Sequence, residues 1–529
     1  MKATMLTMVV LVCLVAGLAR GAFVDPTVWP EPASIVFTNT SSIRAISPNV
    51  AWVTEGGAID TLDQLYARYL PLMFPHPGND VDAEGPVTTI HVSVEDRSEA
   101  YPQLETDESY TLTISAALAT RIDITAPNVY GVIRAVESLS QLIVFDFDDG
   151  IYRTPTFTIQ DKPRYQHRGM LLDTARHYMP VAYIQHTIDA LSYSKYNVLH
   201  WHAVDTQAFP FESRSSPKLW EGAYTPQERY NRAEIEGLVE YGRLRGVKIM
   251  LEFDVPGHAA SWCVGYPEVC PAPKCPQPLN PASDKTLPLI NDLILETTQE
   301  GEAKNGGSLF PYKLFHLGGD EVNYDCWDES ADIQRWQKEQ GLDDEGTYKY
   351  FVDKVATMTS EAGRVPVQWV EVFEHFGDAL NDDVVVHVWK DKDTLDDVMK
   401  AGYRAILSNQ GDWYLDHEDQ DWEQMYRNEP TSELTEGTDP SLLIGGESAM
   451  WAENVDPSDL DSTVWPRAAA VGEVLWTPQD RLDVRRALDR IQTFRCLLAS
   501  RGVAAAPVTN ADAREAPPMP DSCYNQRRV

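Results

Sequence analysis

The segment FHLGGDEV, residues 315–322, ends a short apolar run with two glycines and two adjacent carboxylates, Asp320 and Glu321. A short, bounded apolar run predicts a buried strand, and glycines at its end predict a close approach by another part of the chain. Asp and Glu are poor strand residues, so a carboxylate pair at this place lowers stability unless it is used. Taken alone, the pair is also compatible with a helix cap followed by a first-turn Glu.

The same pattern recurs from His167 onward, where short apolar runs alternate with amphipathic stretches such as residues 181–196 and 348–363. This alternation is typical of a parallel sheet covered by helices. Eight such runs over about 320 residues predict a (β/α)8 TIM barrel of the α/β class. The runs lie at residues 169–173, 198–202, 247–253, 314–317, 365–369, 384–389, 404–408 and 442–446. We expect terminal helices over residues 464–502 and a tail over 503–529.

The region before the barrel has a different pattern. Residues 88–94 and 110–114 alternate apolar and polar side chains, as half-buried strands do, whereas residues 128–144 have helical periodicity. A chain of 529 residues can bury more than one core. We therefore predict a smaller α+β domain over residues 22–163, followed by the barrel with its terminal helices and tail over residues 164–529.

Residues 1–21 have the features of a signal peptide. Lys2 gives a positive start, residues 5–18 form an apolar core too short for a comfortable membrane span, and residues 19–21 include small side chains for cleavage. No later apolar stretch is long enough to span a bilayer. The net charge of −36 opposes binding to nucleic acids and to anionic membranes.

Six of the seven cysteines lie beyond the predicted signal peptide. An even number in a secreted chain predicts three disulfides, whose pairing the sequence leaves open. The six are Cys263, Cys270, Cys275, Cys326, Cys496 and Cys523. Asn39 begins an Asn-Thr-Ser sequon and is a candidate glycosylation site.

Polar and aromatic residues follow every predicted barrel strand, at the end where barrel active sites lie. Any one of them has a plain structural explanation as a hydrogen-bonded core histidine or a packing tryptophan. Eight strands that all end this way are hard to explain by packing. In strand order the residues are Asp173, Arg176 and His177; His200, Trp201, His202 and Asp205; Glu252, Asp254 and His258; Asp320 and Glu321; Trp369 and Glu371; His387 and Trp389; Trp413, Tyr414 and Asp416; Glu447, Trp451 and Glu453.

Aromatic rings around carboxylates and an arginine suit a sugar, because pyranose faces are apolar and hydroxyls favour bidentate charged partners. The chain has no P-loop and no G-x-G-x-x-G motif, so we expect no nucleotide cofactor. The absence of a G-x-S-x-G elbow argues against an esterase. His200 and His202 would share one strand face, but their spacing implies no third ligand, so we expect no metal.

The adjacency of Asp320 and Glu321 limits the possible mechanisms. Glycosidic cleavage generally uses two carboxyl groups on opposite sides of the bond, and sequence neighbours are poorly placed for that. A substrate that supplies its own nucleophile resolves the difficulty. The alternatives are a barrel glycosidase with a nucleophile elsewhere in the protein, and a sugar-binding protein without catalytic activity.

The chain resembles the β-N-acetylhexosaminidases of glycoside hydrolase family 20, in their eukaryotic lysosomal and secreted branch, from about residue 30 to residue 525. The motifs that carry the resemblance are HRG at 167–169, DTARHY at 173–178, NVLHWH at 197–202, FDVPGH at 253–258, HLGGDEV at 316–322, GGE at 445–447, MW at 450–451 and WPRA at 465–468.

The resemblance implies a TIM barrel behind a small α+β domain. It also implies a retaining exo-glycosidase that releases terminal β-linked N-acetylglucosamine or N-acetylgalactosamine from glycans through an oxazolinium intermediate, without a cofactor or metal. A homodimer in the secretory pathway, either lysosomal or vacuolar or extracellular, is the assembly and location to expect.

The resemblance also assigns roles to residues of this chain. Glu321 matches the general acid and base, Asp320 the residue that orients the acetamido nitrogen, and Tyr414 the donor to the acetamido oxygen. Asp205 and His258 match the pair that tunes and orients the acid. The residues that match sugar contacts are Trp369, Trp389 and Trp451 around the acetamide and ring, and Arg176, Asp416 and Glu453 at the hydroxyls. We expect neighbouring carboxylates to raise one another's pKa, as a general acid requires.

The chain departs from the family pattern at a few positions. Thr206 stands where the animal subunits have a second acid, and residues 472–476 read GEVLW rather than AERLW. Asp416 and His417 stand where the animal subunit that handles negatively charged sugars has Asn and Arg, so Asp416 looks like the neutral-substrate form. The resemblance implies disulfides Cys275–Cys326 and Cys496–Cys523, which leaves Cys263 with Cys270 as a local pair.

Overall fold

The computed structural model describes residues 27–37, 43–79, 85–114, 120–304 and 306–509, which form two sheets with their helices. The predicted signal peptide, Asn39 and Cys523 lie outside the described residues. Among the residues described, no helix is both long and apolar enough to cross a membrane.

The first sheet is mixed and has eight strands in the order β1-β8-β4-β5-β3-β2-β7-β6. Its central pairs, β2 with β3 and β3 with β5, are parallel, and its other pairs are antiparallel. The strands are β1 (Ser34–Phe37), β2 (Ile43–Thr54), β3 (Val87–Val94), β4 (Tyr110–Thr113), β5 (Arg121–Ala126), β6 (Val144–Asp146), β7 (Ile151–Pro155) and β8 (Phe157–Asp161). Helices α1 (Asp60–Met73) and α2 (Val129–Gln141) pack on it, and α2 is shorter than the 128–144 expected.

The second sheet is a closed barrel of eight parallel strands, which confirms the predicted fold class. The strands are β9 (His167–Asp173), β10 (Val198–His202), β11 (Lys248–Glu252), β12 (Leu314–His316), β13 (Val365–Trp369), β14 (Val385–Val388), β15 (Arg404–Leu407) and β16 (Leu443–Met450). The predicted domain boundary between residues 163 and 164 falls in the connection from β8 to β9. Strand β16 runs past Gly446, where the prediction ended it, because Glu447 is buried and paired with two histidines.

Helices and short helical turns follow the strands around the barrel. Helix α9 starts before the expected residue 348, and α3 ends before residue 196. The helices are α3 (Val181–Tyr193), α4 (Arg232–Arg243), α5 (Trp262–Gly265), α6 (Thr286–Thr298), α7 (Asp325–Asp328), α8 (Ala331–Gln340), α9 (Asp344–Glu361), α10 (Val370–Phe376), α11 (Lys392–Lys400), α12 (Gln410–Trp413), α13 (Trp422–Arg427), α14 (Leu460–Val464), α15 (Arg467–Trp476) and α16 (Val484–Ser500).

Buried ion pairs join the two sheets on the side away from the strand ends that carry the polar ring. Glu108, next to β4, binds Arg134 of α2 at 2.7 Å and Arg168 of β9 at 2.5 Å. Lys195 reaches Asp161 of β8 at 2.9 Å. Each of these buried charges has a partner of opposite sign, so the interface between the two sheets contains no uncompensated charge among them.

Two disulfides lie beside the loops that follow β11 and β12. Cys263 is bonded to Cys270, and Cys275 to Cys326, which are two of the three expected pairs. The third pair, Cys496 with Cys523, includes a residue outside the described part of the chain and stays a prediction.

Candidate active site

The carboxylate pair occupies a sharp turn directly after β12. Gly318 and Gly319 both have positive φ, and a Cβ at position 318 would lie 1.8 Å from Asp254 Oδ1. The Gly319 amide donates to the same oxygen at 3.0 Å. The glycines therefore permit the close approach that the sequence predicted, and the approaching residue is Asp254. Neither carboxylate caps a helix, because α7 begins only at Asp325.

Asp320 and Glu321 face different surroundings. The Asp320 side chain is 13% exposed, whereas that of Glu321 is 62% exposed. Oδ1 of Asp320 is buried and has no hydrogen-bond partner among the described residues. A buried carboxylate oxygen without a donor is costly, so this atom is available for a donor that a ligand brings. Glu321 also has positive φ, at 49°, a strained conformation that is common at functional sites.

His258 lies between the carboxylate pair and a buried acid. Its Nε2 is 3.6 Å from Asp320 Oδ2 and 3.6 Å from Glu321 Oε2. On its other side, Nδ1 lies 3.3 Å from Asp205 Oδ1. Arg176 Nη2 contacts Asp205 Oδ2 at 2.8 Å, which fixes this acid from a second direction. These five residues, which lie in four different loops, were all candidates from the sequence, and the structure brings them together.

The pKa of Glu321 is lowered, whereas the sequence led us to expect a raised value. Burial opposes the charge of His258, but Asp320 and its other acidic neighbours outweigh burial and raise the His258 pKa to about 12. The resulting cation lowers the pKa of Glu321, chiefly through the contact with its carboxylate. The expectation that the adjacent Asp320 raises the Glu321 pKa was therefore wrong, because a histidine from another loop contacts both carboxylates.

Asp320 is the member of the pair whose pKa is raised. Burial is the main cause, and Asp254, packed against the glycine turn, adds to it. Burial likewise raises the pKa of Asp254, to about 6. Because Asp254 raises the pKa of Asp320, the two acids titrate as a coupled pair rather than independently.

Four aromatic residues from the ends of separate barrel strands and the loops after them form a wall beside Asp320. Trp389 and Tyr414 stack with their ring centroids 6.3 Å apart, and Trp451 lies 6.3 Å from Tyr414 and 6.0 Å from Trp369. Burial raises the pKa of Tyr414 well above its usual value, so the phenol keeps its proton and can donate it in a hydrogen bond. The predicted aromatic set is assembled in one place.

Three polar residues lie around the rim of this wall. Arg176 stacks over the Trp451 ring at 5.0 Å and reaches toward Glu453, at 3.9 Å. Asp416 has a buried Oδ1 without a partner in the described part of the chain. Burial raises the Asp416 pKa to about 6, with Glu453 contributing. Unused charged acceptors beside an aromatic wall suit sugar hydroxyls.

Glu371 is a site residue to which the sequence analysis assigned no role. Both its carboxylate oxygens accept from Trp389 Nε1, at 2.9 and 3.1 Å, and Lys390 Nζ lies 3.3 Å away. Burial raises the Glu371 pKa to about 7, and Asp320 adds to this. The sequence signal for Glu371 was its position two residues after Trp369, at a strand end. Sequence spacing does not show that its carboxylate binds the Trp389 ring.

The barrel interior beneath the site holds further histidines and acids. His200, His316 and His387 bring ligand atoms within 4.8 Å of one another, as do two groups around His258. The three buried histidines lie within 3.9 Å of Glu252 or Glu447, and Nε2 of His200 and of His387 makes no hydrogen bond within the described part of the chain. That the reaction needs no metal stays a prediction.

Aromatic walls, free acceptors for hydroxyls and an adjacent carboxylate pair at one end of a barrel are what sugar chemistry requires. The fold and the site therefore define a glycoside hydrolase. The family model described as glycosyl hydrolase family 20, catalytic domain, matches residues 165–479, and one described as beta-acetyl hexosaminidase like matches residues 28–142. The chain belongs to glycosyl hydrolase family 20, and its activity is that of a β-hexosaminidase.

Known relatives are similar along nearly the whole chain. Beta-hexosaminidase 1 of Arabidopsis thaliana is 38% identical over 524 residues, which cover 95% of this chain and 94% of that protein. The human beta-hexosaminidase subunit beta is 34% identical over 536 residues, covering 95% and 93%. The structure of Flavobacterium johnsoniae chitobiase superposes with a TM-score of 0.76 at 28% identity, covering 90% of this chain and 73% of that one.

Proposed function

We propose that this β-hexosaminidase removes terminal, non-reducing, β-linked N-acetylglucosamine and N-acetylgalactosamine from glycans with retention of configuration, and that the acetamido group of the substrate is the nucleophile. The observation that carries the proposal is Oδ1 of Asp320, which is buried beside the aromatic wall and has no hydrogen-bond partner among the residues that the structure describes. An acetamido N–H supplies the missing donor. The neighbouring Glu321 cannot flank the same bond from the opposite side.

The first chemical step forms the intermediate. The acetamido oxygen attacks the anomeric carbon while the bond to the leaving oxygen breaks, and Glu321 gives that oxygen its proton. Positive charge develops on the acetamido nitrogen, where Asp320 stabilises it, and Tyr414 holds the acetamido oxygen in line for attack. Trp369, Trp389 and Trp451 close around the acetamide and the ring.

The second step reverses the roles. Water attacks the anomeric carbon of the oxazolinium intermediate, and the Glu321 carboxylate takes the proton of that water. Glu321 starts each cycle protonated. Because its carboxyl is largely exposed, a bound sugar removes it from water, and this desolvation raises its pKa. Arg176, Asp416 and Glu453 hold the hydroxyls, and Asp205 with His258 orients the acid.

A pair of substrates tests the proposal. Nitrophenyl β-glycosides of N-acetylglucosamine and of glucose differ only in the 2-acetamido group. We expect hydrolysis of the first and negligible hydrolysis of the second, because glucose lacks the nucleophile. Comparable rates on both would favour the rival barrel glycosidase with a nucleophile of its own. Hydrolysis of neither would favour a sugar-binding protein without catalysis.

The proposal extends to the cellular setting. Residues 1–21 act as a signal peptide, Asn39 carries a glycan, and the mature protein works as a homodimer in a lysosomal or vacuolar compartment or outside the cell. Protein expressed in a eukaryotic secretory host tests this. The amino terminus near Ala22, a mass loss on glycosidase treatment and a dimer mass by light scattering are the expected results.

A further inference from the structure

Glu252 is a fully buried carboxylate at the end of β11, in the barrel interior. Its Oε1 accepts from Trp369 Nε1 at 3.0 Å and lies 3.0 Å from His316 Nδ1. Its Oε2 contacts His202 Nδ1 at 2.5 Å and His200 Nε2 at 3.1 Å. Both oxygens therefore meet two nitrogens each, and side chains from three neighbouring strands converge on one charge.

Glu252 is connected to both halves of the site. One connection is direct, because Trp369 is part of the aromatic wall. The other passes through His202, whose Nε2 lies 2.7 Å from Asp205 Oδ2. Asp205 in turn holds His258, the residue that stands against Asp320 and Glu321. Three successive contacts, through His202 and Asp205, thus lead from Glu252 to His258, the side chain that orients the acid.

Burial of a carboxylate at this depth is expensive unless every lone pair is used, and an apolar core would be as stable or more so. A second buried carboxylate in the same interior shows the difference. Glu447 binds His167 at 2.6 Å and His200 at 2.9 Å and lies 3.9 Å from His387, and it makes no hydrogen bond to the aromatic wall or to Asp205. Stability alone therefore does not explain why Glu252 bonds both to Trp369 of the aromatic wall and to His202, the residue that contacts Asp205.

We propose that Glu252 is a positioning residue of the hydrolysis, which fixes the Trp369 wall of the acetamido pocket and, through His202 and Asp205, fixes His258 beside the acid. This inference rests on the proposed function. Glu252 touches no substrate atom in this scheme. It acts because misplacement of a reacting group by about 1 Å costs about 10²-fold in rate.

The charge of His202 links the two halves of this network. Burial opposes that charge, but Glu252 and Asp205 outweigh burial and raise the pKa of His202 well above its usual value. The other groups that face His202 are Arg176, at 3.5 Å, the Trp451 ring, at 5.0 Å between centroids, and Asp254, whose carboxylate interacts with the His202 charge. Glu252 and Asp205 together therefore favour the charged form of His202.

The test compares Glu252→Gln with Glu447→Gln in the full-length enzyme. Gln keeps the shape of each side chain and removes its charge. For Glu252→Gln we expect kcat to fall about 10²-fold. Because Glu321 must be protonated to act as the acid, the basic limb of the kcat/KM profile follows the pKa of Glu321. Without Glu252 the His258 cation, which lowers that pKa, is no longer held in place, so we expect the basic limb to move to higher pH by about one unit.

Glu447→Gln is the matched control. It removes an equally buried carboxylate, so we expect a lower Tm but an unchanged position of the basic limb. His202→Gln serves if Glu252→Gln does not fold, because it leaves both carboxylates in place and removes the same link. The expected result for His202→Gln is the same fall in kcat and the same shift of the basic limb.

The inference is overturned if Glu252→Gln, or His202→Gln in its place, keeps the parental kcat and pH profile while only Tm falls. It is also overturned if Glu447→Gln reproduces the loss of kcat and the shift of the basic limb, since the effect is then that of any buried charge. A failure of the proposed function looks different, because the parent enzyme itself would then hydrolyse glucosides as well as N-acetylglucosaminides.

Discussion

Asp320 is ionised in the proposed mechanism when positive charge develops beside it, and Asp320→Asn removes that negative charge while keeping the side-chain volume. In the proposed mechanism, about half a positive charge develops on the acetamido nitrogen, about 3 Å from a carboxylate oxygen. For a partly buried pair with an effective dielectric constant of about 20, this interaction is worth about 3 kcal/mol. The loss corresponds to a fall of about 10²-fold in kcat. A similar magnitude is typical when one group that stabilises developing charge is removed.

The assay separates transition-state from ground-state effects. Because the charge is absent before cyclisation, Asp320→Asn should lower kcat far more than it alters KM. A thiazoline mimic of the cyclic intermediate should inhibit the parent strongly and the variant weakly. Asp416→Asn is the control, since a hydroxyl contact is made in both states and its loss raises KM. Parental kcat in Asp320→Asn, with undiminished thiazoline inhibition, would refute the assignment of Asp320.

Three further predictions follow from the same structure. Glu321→Gln should lower kcat by about 10²–10⁴-fold on natural disaccharides and much less on substrates with acidic leaving groups; equal losses on both would remove Glu321 as the acid. Asp416→Asn combined with His417→Arg should raise the kcat/KM ratio of 6-sulfated over neutral N-acetylglucosaminides, because it removes a repelling charge and adds a guanidinium fork; an unchanged ratio would exclude these positions from specificity. Gly318→Ala should destabilise by about 3 kcal/mol or more, from its positive φ and its clash with a neighbouring carboxylate. Gly341 also has positive φ but no such neighbour, so Gly341→Ala should lower the free energy of unfolding by only about 1 kcal/mol, measured by denaturant unfolding.

The sequence predicted the barrel because its strands are short, apolar and regularly spaced. Val198–His202 and Val365–Trp369 have the predicted bounds. The last strand was predicted too short because a charged residue, Glu447, reads as a strand end. In the structure its charge is buried and paired, a fact that depends on histidines distant in sequence.

The candidate site was predicted as a set of residues, but its electrostatics were not. Adjacent acids suggested that Asp320 raises the pKa of Glu321. His258 instead lowers the pKa of Glu321, and the loop after another strand places this histidine against both carboxylates. The role of Glu252 was equally hidden, because a lone Glu at a strand end does not show that it joins Trp369 to His202.

The central claim is that the substrate provides the nucleophile, and fluorination of that nucleophile tests it most directly. Fluorine atoms on the acetamido methyl group withdraw electrons from the carbonyl oxygen and make it a weaker nucleophile, without changing the protein. The measurement is kcat/KM for nitrophenyl glucosaminides that carry N-acetyl, N-fluoroacetyl, N-difluoroacetyl and N-trifluoroacetyl groups. If the acetamido oxygen is the nucleophile, kcat/KM should fall steeply and steadily with each added fluorine. A flat series, together with a covalent adduct of a 2-fluoro sugar on a protein carboxylate, would contradict it.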